Sequence, residues 1–211
     1  RAEVLHERIR GVVRHGHDLH LTALRADLLD DLDRVLGRAD DDHRRRARLD
    51  DFRCRGLVVR VEAGDIVTLP GPAGSNTYEE CEVRLRVPLT LRSYPGEMAH
   101  IHCDISNVDT VAVQIDPGAS GSRLSRLEIS GGYYYGVFLQ TNWEQGSNES
   151  GHGALDVIIE DSKIHDTGRD AIKITPHSDR ATIPRCEIWN SGAIYPPGTP
   201  LDDKNAEGID N

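Results

Sequence analysis

Four segments in the C-terminal part of this chain are copies of one pattern, and this repeat limits the fold more than any other feature. The segments read DISNVDTVAVQID, EISGGYYYGVFLQ, KIHDTGRDAIKIT and EIWNSG…NAEGIDN. Each begins near an isoleucine, and successive isoleucines are 24, 35 and 24 residues apart: Ile105, Ile129, Ile164 and Ile188. Each also contains a small residue followed by a β-branched one: Ala112-Val113, Gly136-Val137, Ala171-Ile172 and Gly208-Ile209.

The underlying period is 24 residues, because the 35-residue interval equals one period plus an 11-residue insert near NWEQGSNESGH. The fourth copy carries a similar insert of 13 residues near AIYPPGTPLDDKN. Periods of this size indicate a solenoid, and each period here contains short strands and no helix. A coil of this length accommodates two or three strands joined by turns, with successive coils stacked in parallel ~4.8 Å apart.

Upstream of the repeats, strand signals begin at Gly56. GLVVRVEAGDIVTLPGPAG reads as strand, turn and strand. CEVRLRVPLTLRSYPGE contains two more strands, with a corner at Pro88 and a turn at YPGE.

These motifs resemble the right-handed parallel β-helix family, the pectin-lyase-like fold, over about residues 57 to 211. EAGDIVTLPGPAG is similar to its opening turn, PLTLRSYPGE to its first full coil, and GRDAIKI and NAEGIDN to its coil-closing motif. The expected fold is therefore all-β: a right-handed parallel β-helix over residues 56–211, incomplete at the C-terminus. The family often has a helix that caps the open end of the stack, and residues near Arg44 to Phe52 are candidates for it.

Residues 1–55 have a different composition, rich in Arg, Asp, Leu and His. Leucines recur there at helical spacing, which predicts a charged, α-helical N-terminal appendage: Leu21, Leu24, Leu28, Leu32 and Leu36. Leu5, Ile9 and Val12 predict a second, earlier helix. GC-rich DNA translated in a wrong frame yields the same composition, so this alternative stays open. The chain starts at Arg1 and stops within a repeat, and we expect it to be part of a longer protein.

The repeat predicts which side chains share a face, since strand side chains alternate between inside and outside. The inward column is Val113, Val137, Ile172 and Ile209. Three outward columns follow from it: Gln114, Phe138, Lys173 and Asp210; Val111, Tyr135, Asp170 and Glu207; Ser106, Ser130, His165 and Trp189. Asp170 and Glu207 should lie ~5 Å apart and repel by about 3 kcal/mol at an effective dielectric near 20. Such a pair requires a shared proton, a cationic neighbour such as Lys173, or a metal ion.

The resemblance implies a polysaccharide lyase that cleaves a uronate-containing chain by β-elimination. Lys173 would be the base, with Arg169 as its alternative and His165 as a further catalytic candidate or an exterior stacking residue. A Ca²⁺ ion would neutralise the substrate carboxylate and would be held by Asp170, Glu207, Asp210 and Asp203. Aromatic side chains would form the sugar platform: Tyr134, Tyr135, Phe138 and Trp189.

Two other functions remain open. A surface or adhesion β-helix that binds glycan or protein would need only an aromatic row and an even ladder of charges. A glycoside hydrolase is the second alternative, because NAEGID is similar to the Asn-Thr-Asp-Gly motif of β-helix polygalacturonases. Here Glu and Ala replace two of its residues, and GHG precedes this stretch instead of following it.

Charge and composition narrow the partners. A net charge of −10 disfavours nucleic acid and anionic membranes, and no apolar run is long enough to cross a membrane. We expect an exported monomer, extracellular, periplasmic or on the cell surface, although no signal peptide is visible. None of the four cysteines forms a metal-type spacing, and we expect them to be small buried residues whose pairing stays open: Cys54, Cys81, Cys103 and Cys186.

Overall fold

The structure is a computed structural model, and its regular secondary structure is almost entirely β-strand. It describes residues 9–15, 18–23, 51–54, 57–60, 62–71, 77–142, 152–200 and 204–211. Within these ranges no α-helix is present, and Pro117–Ala119 forms a short 3-10 helix. No helix among the described residues is long and apolar enough to cross a membrane.

Three sheets run along the length of the molecule. The first sheet contains, in spatial order, β1 (Ile9–His15), β2 (Asp18–Ala23), β5 (Ile66–Leu69), β8 (Thr90–Ser93), β11 (Arg123–Ser125) and β14 (Ile158–Glu160). The second contains β6 (Thr77–Glu79), β9 (Ala99–Cys103), β12 (Leu127–Gly131), β15 (Lys163–His165) and β17 (Glu187–Trp189). The third contains β7 (Val83–Leu85), β10 (Val111–Ile115), β13 (Tyr135–Leu139), β16 (Ile172–Ile174) and β18 (Ile209–Asp210).

The chain visits the three sheets in turn, and each pass forms one coil. From β5 onward every strand of the three sheets pairs in parallel with its equivalent on an adjacent coil. This arrangement confirms the predicted all-β parallel solenoid. The strands predicted around Pro88 are β7 and β8, and the amide of Glu97 donates to the carbonyl of Tyr94 to close the predicted turn.

Stacked apolar columns form the core. The predicted inward column is confirmed for Val113, Val137 and Ile172, which are buried successive partners in the third sheet. Ile209 pairs with Ile172 as predicted but is 42% exposed. The second sheet contributes a column of its own: Tyr78, Ile101, Ile129, Ile164 and Ile188. Short strands suffice because burial on one face recurs on every coil.

The first copy of the repeat, as predicted from sequence, does not match the register of the strands. The partner of Ile129 is Ile101, not Ile105, and the partner of Ser130 is His102, not Ser106. Asp104 to Asn107 form a turn between β9 and β10, closed by the amide of Asn107 donating to the carbonyl of Asp104. Ile101 and Val113 are 12 positions apart, whereas Ile129–Val137 and Ile164–Ile172 are each 8 apart, so this corner is longer than the equivalent corners of the next two coils. The seven-residue spacing from Ile105 therefore arose by coincidence.

Left-handed backbone corners recur on successive coils. Asp156, Asp161 and Asp166 all have positive φ, between 50° and 55°. One coil later the corresponding positions are Arg180, Arg185 and Asn190, with φ between 53° and 59°. Side chains at equivalent corners pair between coils: Arg180 with Asp156, Arg185 with Asp161, and Asn190 with Asp166. Asp and Asn tolerate this conformation better than most residues.

Residues described in the N-terminal part are strands, so the helix predicted from Ile9 and Val12 is wrong there. β1 and β2 form an antiparallel pair, and Asp18, Leu19 and His20 of β2 pair in parallel with β5. The segment DLHLTA alternates apolar and polar residues, a strand pattern that the helical spacing had obscured. Pairing of β2 with β5 of the first sheet then favours the strand over the helix.

Other parts of the N-terminal predictions have different outcomes. The leucines from Leu24 to Leu36 and the start of the proposed cap lie outside the described residues. The end of that cap is a strand, because β3 (Asp51–Cys54) forms an antiparallel hairpin with β4 (Leu57–Arg60).

Two of the cysteines are bonded to each other. Cys81 and Cys103 form a disulfide with a Cα–Cα distance of 4.6 Å, and they join the coil of β6 to that of β9. The thiol of Cys186 is free, and burial raises its pKa. Cys103 is buried as expected, whereas Cys81 and Cys186 are only partly buried. The pairing that the sequence left open is that of Cys81 with Cys103.

Candidate functional site

Two outer faces carry the polar side chains of interest, and the register of the strands sets both. On the third sheet, Gln114, Phe138, Lys173 and Asp210 form one outward column, as predicted. On the second sheet, one outward column is Thr77, His100, Glu128, Lys163 and Glu187. Its neighbour is Glu79, His102, Ser130, His165 and Trp189.

Lys173 has an acidic partner on the next coil. Its ammonium donates to the carboxylate of Asp210, and both side chains are about three-quarters buried, with exposures of 24% and 25%. Phe138, one coil earlier, lies on the other side of Lys173 in the same column. An ammonium that donates to a carboxylate is the charged form of lysine, whereas proton abstraction requires the neutral amine. In this arrangement Lys173 is suited to bind an anion.

Asp170 is buried, although its column was predicted to face outward. Its side chain is inaccessible to solvent, and Oδ1 accepts a 2.8 Å hydrogen bond from the amide of Glu207. Oδ2 has no hydrogen-bond partner among the described residues. Burial raises the pKa of Asp170, and the negative charge of Asp210 adds to that effect. The position belongs to a corner, where the side chain reaches the backbone of the next coil instead of solvent.

Aromatic and cationic groups cover the surface beside Asp170. Tyr133, Tyr134, Tyr135 and Phe138 form a continuous row, with adjacent ring centroids 5.0, 5.9 and 5.0 Å apart. The guanidinium of Arg169 lies 4.8 Å from the centroid of the Tyr134 ring. The Tyr134 hydroxyl donates to Asp109, which raises the pKa of this tyrosine. Burial raises the pKa of Tyr135, with a further contribution from Asp170.

The structure divides the predicted site between the two faces. Arg169, Lys173 and the rings of Tyr134, Tyr135 and Phe138 lie together on and beside the third sheet. His165 and Trp189 are instead paired strand residues of the second sheet. Asp203 lies outside the described residues.

The predicted Ca²⁺ ligands do not form a coordination group among the residues that the structure describes. Asp170 is buried, Glu207 is exposed, and Asp210 pairs with Lys173. The unpartnered Oδ2 of Asp170 fits a cation, but the full ligand set would need Asp203. The described residues alone do not complete a Ca²⁺ site, and Ca²⁺ binding stays a prediction.

A cluster of histidines and acids occupies the second sheet. His100 Nε2 and His102 Nδ1 each lie 2.7 Å from Ser130 Oγ. Glu128 Oε1 lies 3.1 Å from His165 Nε2. Burial lowers the pKa of His100, and the negative charge of Glu128 partly opposes this effect.

Three side chains contact the imidazole of His165: Glu128, Trp189 and Asp166. The imidazole stacks on Trp189, with ring centroids 4.1 Å apart and planes 8° from parallel, although His165 is buried and not exterior as predicted. Its Nδ1 lies 2.7 Å from Oδ2 of Asp166. The side-chain amide of Asn190 donates to the other oxygen of Asp166, and these hydrogen bonds lower the pKa of that carboxyl.

Sequence reasoning missed His100, His102 and Glu128. The first predicted repeat began at Asp104, and the segment before it was assigned no strand. AHIHC in fact alternates buried Ala99, Ile101 and Cys103 with the two more exposed histidines. That alternation was the signal that identifies a coil strand with histidines on its outer face.

Comparison of the chain with protein-family models, with curated protein sequences and with solved structures gave no match.

Proposed function

We propose that this chain is an exported carbohydrate-active protein with the right-handed pectin-lyase-like fold, acting on a uronate-containing polysaccharide. The observation that carries the proposal is the patch formed by the tyrosine row, Arg169 and Lys173 on the outside of the third sheet. Aromatic rings provide apolar surface for sugar rings, and the two cations provide charge for carboxylates. A straight stack of coils suits a linear polymer.

The proposed reaction is β-elimination. Removal of the proton beside a uronate carboxylate requires that this carboxylate be neutralised and that a base be neutral when it acts. Arg169 would bind the carboxylate. Lys173 would act as base after it releases Asp210 and loses its proton. Its amine would take the C5 proton while the C4–O glycosidic bond breaks, and the ammonium formed would give a proton to the leaving oxygen. A Ca²⁺ ion held partly by Asp170 would supply further charge neutralisation.

Export is consistent with the disulfide between Cys81 and Cys103, since such bonds persist in oxidising compartments. The acidic chain would meet an acidic polymer through Arg169, and through Lys173 once that lysine releases Asp210.

Non-catalytic glycan binding is the second candidate, and a specific contact favours it. The ammonium of Lys173 donates to the carboxylate of Asp210, and an ammonium binds carboxylates without removing protons.

Affinity electrophoresis tests the binding part of the proposal. We expect native gels that contain polygalacturonate or alginate to retard the protein and gels that contain neutral dextran to leave it unaffected. Arg169→Gln and Lys173→Gln should each weaken retardation about 10-fold, the loss of one charge-assisted hydrogen bond. Lys163→Gln is the matched control because Lys163 lies on the second sheet. Equal retardation of all three variants would contradict the assignment of the patch.

A further inference from the structure

The contacts around His165 leave one of its ring nitrogens facing an acceptor. Nδ1 lies 2.7 Å from a carboxylate oxygen of Asp166, and Nε2 lies 3.1 Å from one of Glu128. Ionised carboxylates only accept hydrogen bonds, and a neutral imidazole carries a single N–H. With that hydrogen on Nδ1, the lone pair of Nε2 points at an anionic oxygen. A positive species between these two atoms, either a proton or a metal ion, is needed to make the contact favourable.

A third donor converges on the same place. His100 stands directly beside Glu128 in the register, and Glu128 beside Lys163 on the coil of His165. One donor atom from each of His100, Glu128 and His165 lies within 4.8 Å of the other two. A proton shared by His165 and Glu128 would not involve His100, whereas one metal ion can bind all three side chains.

From this convergence we infer that His100, Glu128 and His165 form a binding site for one divalent transition-metal ion of the Zn²⁺ type. Two imidazoles and one carboxylate are a ligand set of open, tetrahedral zinc sites. Metal–ligand bonds of ~2.0–2.1 Å place tetrahedral donors about 3.3 Å apart. The Nε2–Oε1 contact of His165 and Glu128 already matches that spacing at 3.1 Å. The donor atom of His100 lies within 4.8 Å of the other two, so it must move inward to complete the set.

The surroundings of the three residues fit such a site. Asp166 accepts from Nδ1 of His165 and so directs Nε2 toward the metal position, while Trp189 fixes the ring plane. Thr77 Oγ1 lies 3.3 Å from Nδ1 of His100, on the side of that ring away from Ser130. Imidazole nitrogen selects Zn²⁺-type ions over Ca²⁺, which prefers oxygen ligands.

Two consequences follow from the position of the site. Its ligands come from three successive coils, so a bound ion links them and should stabilise the solenoid against heat. Three protein ligands also leave a fourth position for water or an anionic ligand, next to Ser130 and His102. The site lies on the second sheet and does not depend on the proposed polysaccharide function.

Metal uptake by the full chain, purified without a polyhistidine tag and stripped with a chelator, tests the inference. Equilibrium dialysis against Zn²⁺ should give one ion per chain and a higher melting temperature. Co²⁺ in its place should give the visible absorption of a four-coordinate site. Glu128→Gln and His100→Ala should each lower Zn²⁺ affinity at least about 10-fold.

The control variants change residues other than His100, Glu128 and His165. Glu187→Gln changes the same residue type in the same column, two coils along from Glu128, and should retain full affinity. His177→Asn removes a histidine that is not one of the three ligands. Asparagine tolerates the φ of 66° at this position, and the variant should also retain full Zn²⁺ affinity. Metal-free circular dichroism confirms that each variant folds, and His100→Ala decides the case if Glu128→Gln does not fold. No Zn²⁺ uptake by the wild type, or equal affinity in Glu128→Gln and Glu187→Gln, would overturn the site.

Discussion

The amide of Glu207 donates a 2.8 Å hydrogen bond to Oδ1 of Asp170, one coil earlier in the stack. The other oxygen of Asp170 is buried and has no partner among the described residues. A buried carboxylate left half-satisfied lowers stability and is more often found where function requires it.

Asp170→Asn should therefore stabilise the protein near neutral pH. The amide keeps an acceptor for Glu207 and removes the buried charge, which should raise the free energy of unfolding by about 1 kcal/mol. Denaturant unfolding of both proteins measures the difference. A less stable Asn variant at pH 7 would show that the charge of Asp170 is well compensated.

The pH dependence of this effect has a defined sign. Burial raises the pKa of native Asp170 above its ordinary value of 3.8, so the native state binds the proton more tightly than the unfolded state. The contribution of Asp170 to stability is therefore greatest below its ordinary pKa and decreases as pH rises through the raised value. The advantage of Asp170→Asn should shrink when the same unfolding measurements are made at acid pH. An advantage that does not change with pH would contradict a raised pKa.

Ile164 should be among the most costly core residues to truncate. It is inaccessible to solvent and stacks between Ile129 and Ile188 on adjacent coils. Ile164→Ala should lower the free energy of unfolding by about 2–5 kcal/mol. Ile209→Ala is the control, because Ile209 is 42% exposed and should cost much less. Similar losses for both variants would mean that the two columns are not packed as described.

Gly168 is required by a close approach between coils. A Cβ at this position would lie 2.0 Å from the carbonyl oxygen of Tyr133, and the amide of Gly168 donates to Gly132 on the adjacent coil. Gly168→Ala should destabilise the protein by about 2 kcal/mol or more, as measured by thermal and denaturant unfolding. At Gly208 the nearest atom, on Ile188, is at an ordinary 3.6 Å, so Gly208→Ala should be tolerated. If Gly168→Ala were equally harmless, the corner would have a different path.

The disulfide should contribute measurably to stability. Cys81 and Cys103 are 22 residues apart, and removing a link of that size costs about 2–4 kcal/mol. A reductant should lower the melting temperature of the wild type and leave that of the double variant Cys81→Ala, Cys103→Ala unchanged. Cys186→Ala, which removes a free thiol, should respond to reductant as the wild type does. A wild type insensitive to reductant would exclude the bond.

The solenoid could be predicted from sequence because its core repeats with the coil. The columns through Val137 and Ile172 followed from spacing alone, since a parallel register aligns equivalent residues automatically. The first coil was misjudged because the longer corner after Cys103 changes the spacing without changing the strands. The burial of Asp170 was missed because alternation applies within a strand and not at the corner before it.

The site was harder to predict than the fold. Lys173 and Asp210 share a column, and so their proximity was visible in the sequence. The convergence of His100, Glu128 and His165 depends on the true partner of Ile129, which spacing did not identify. Which outward side chains meet depends on the length of each corner between strands. One sequence does not show these lengths.

The absorbance of unsaturated uronate ends tests the proposed function most directly. The purified chain would be incubated with pectin, alginate and glycosaminoglycans, with Ca²⁺ and then with chelator, while ultraviolet absorbance is followed. We predict a rise with at least one polymer, reduced by chelator and by Lys173→Gln, and unaffected by Lys163→Gln. No rise with any polymer, together with no new reducing ends, would contradict an enzyme and leave glycan binding as the function of the patch.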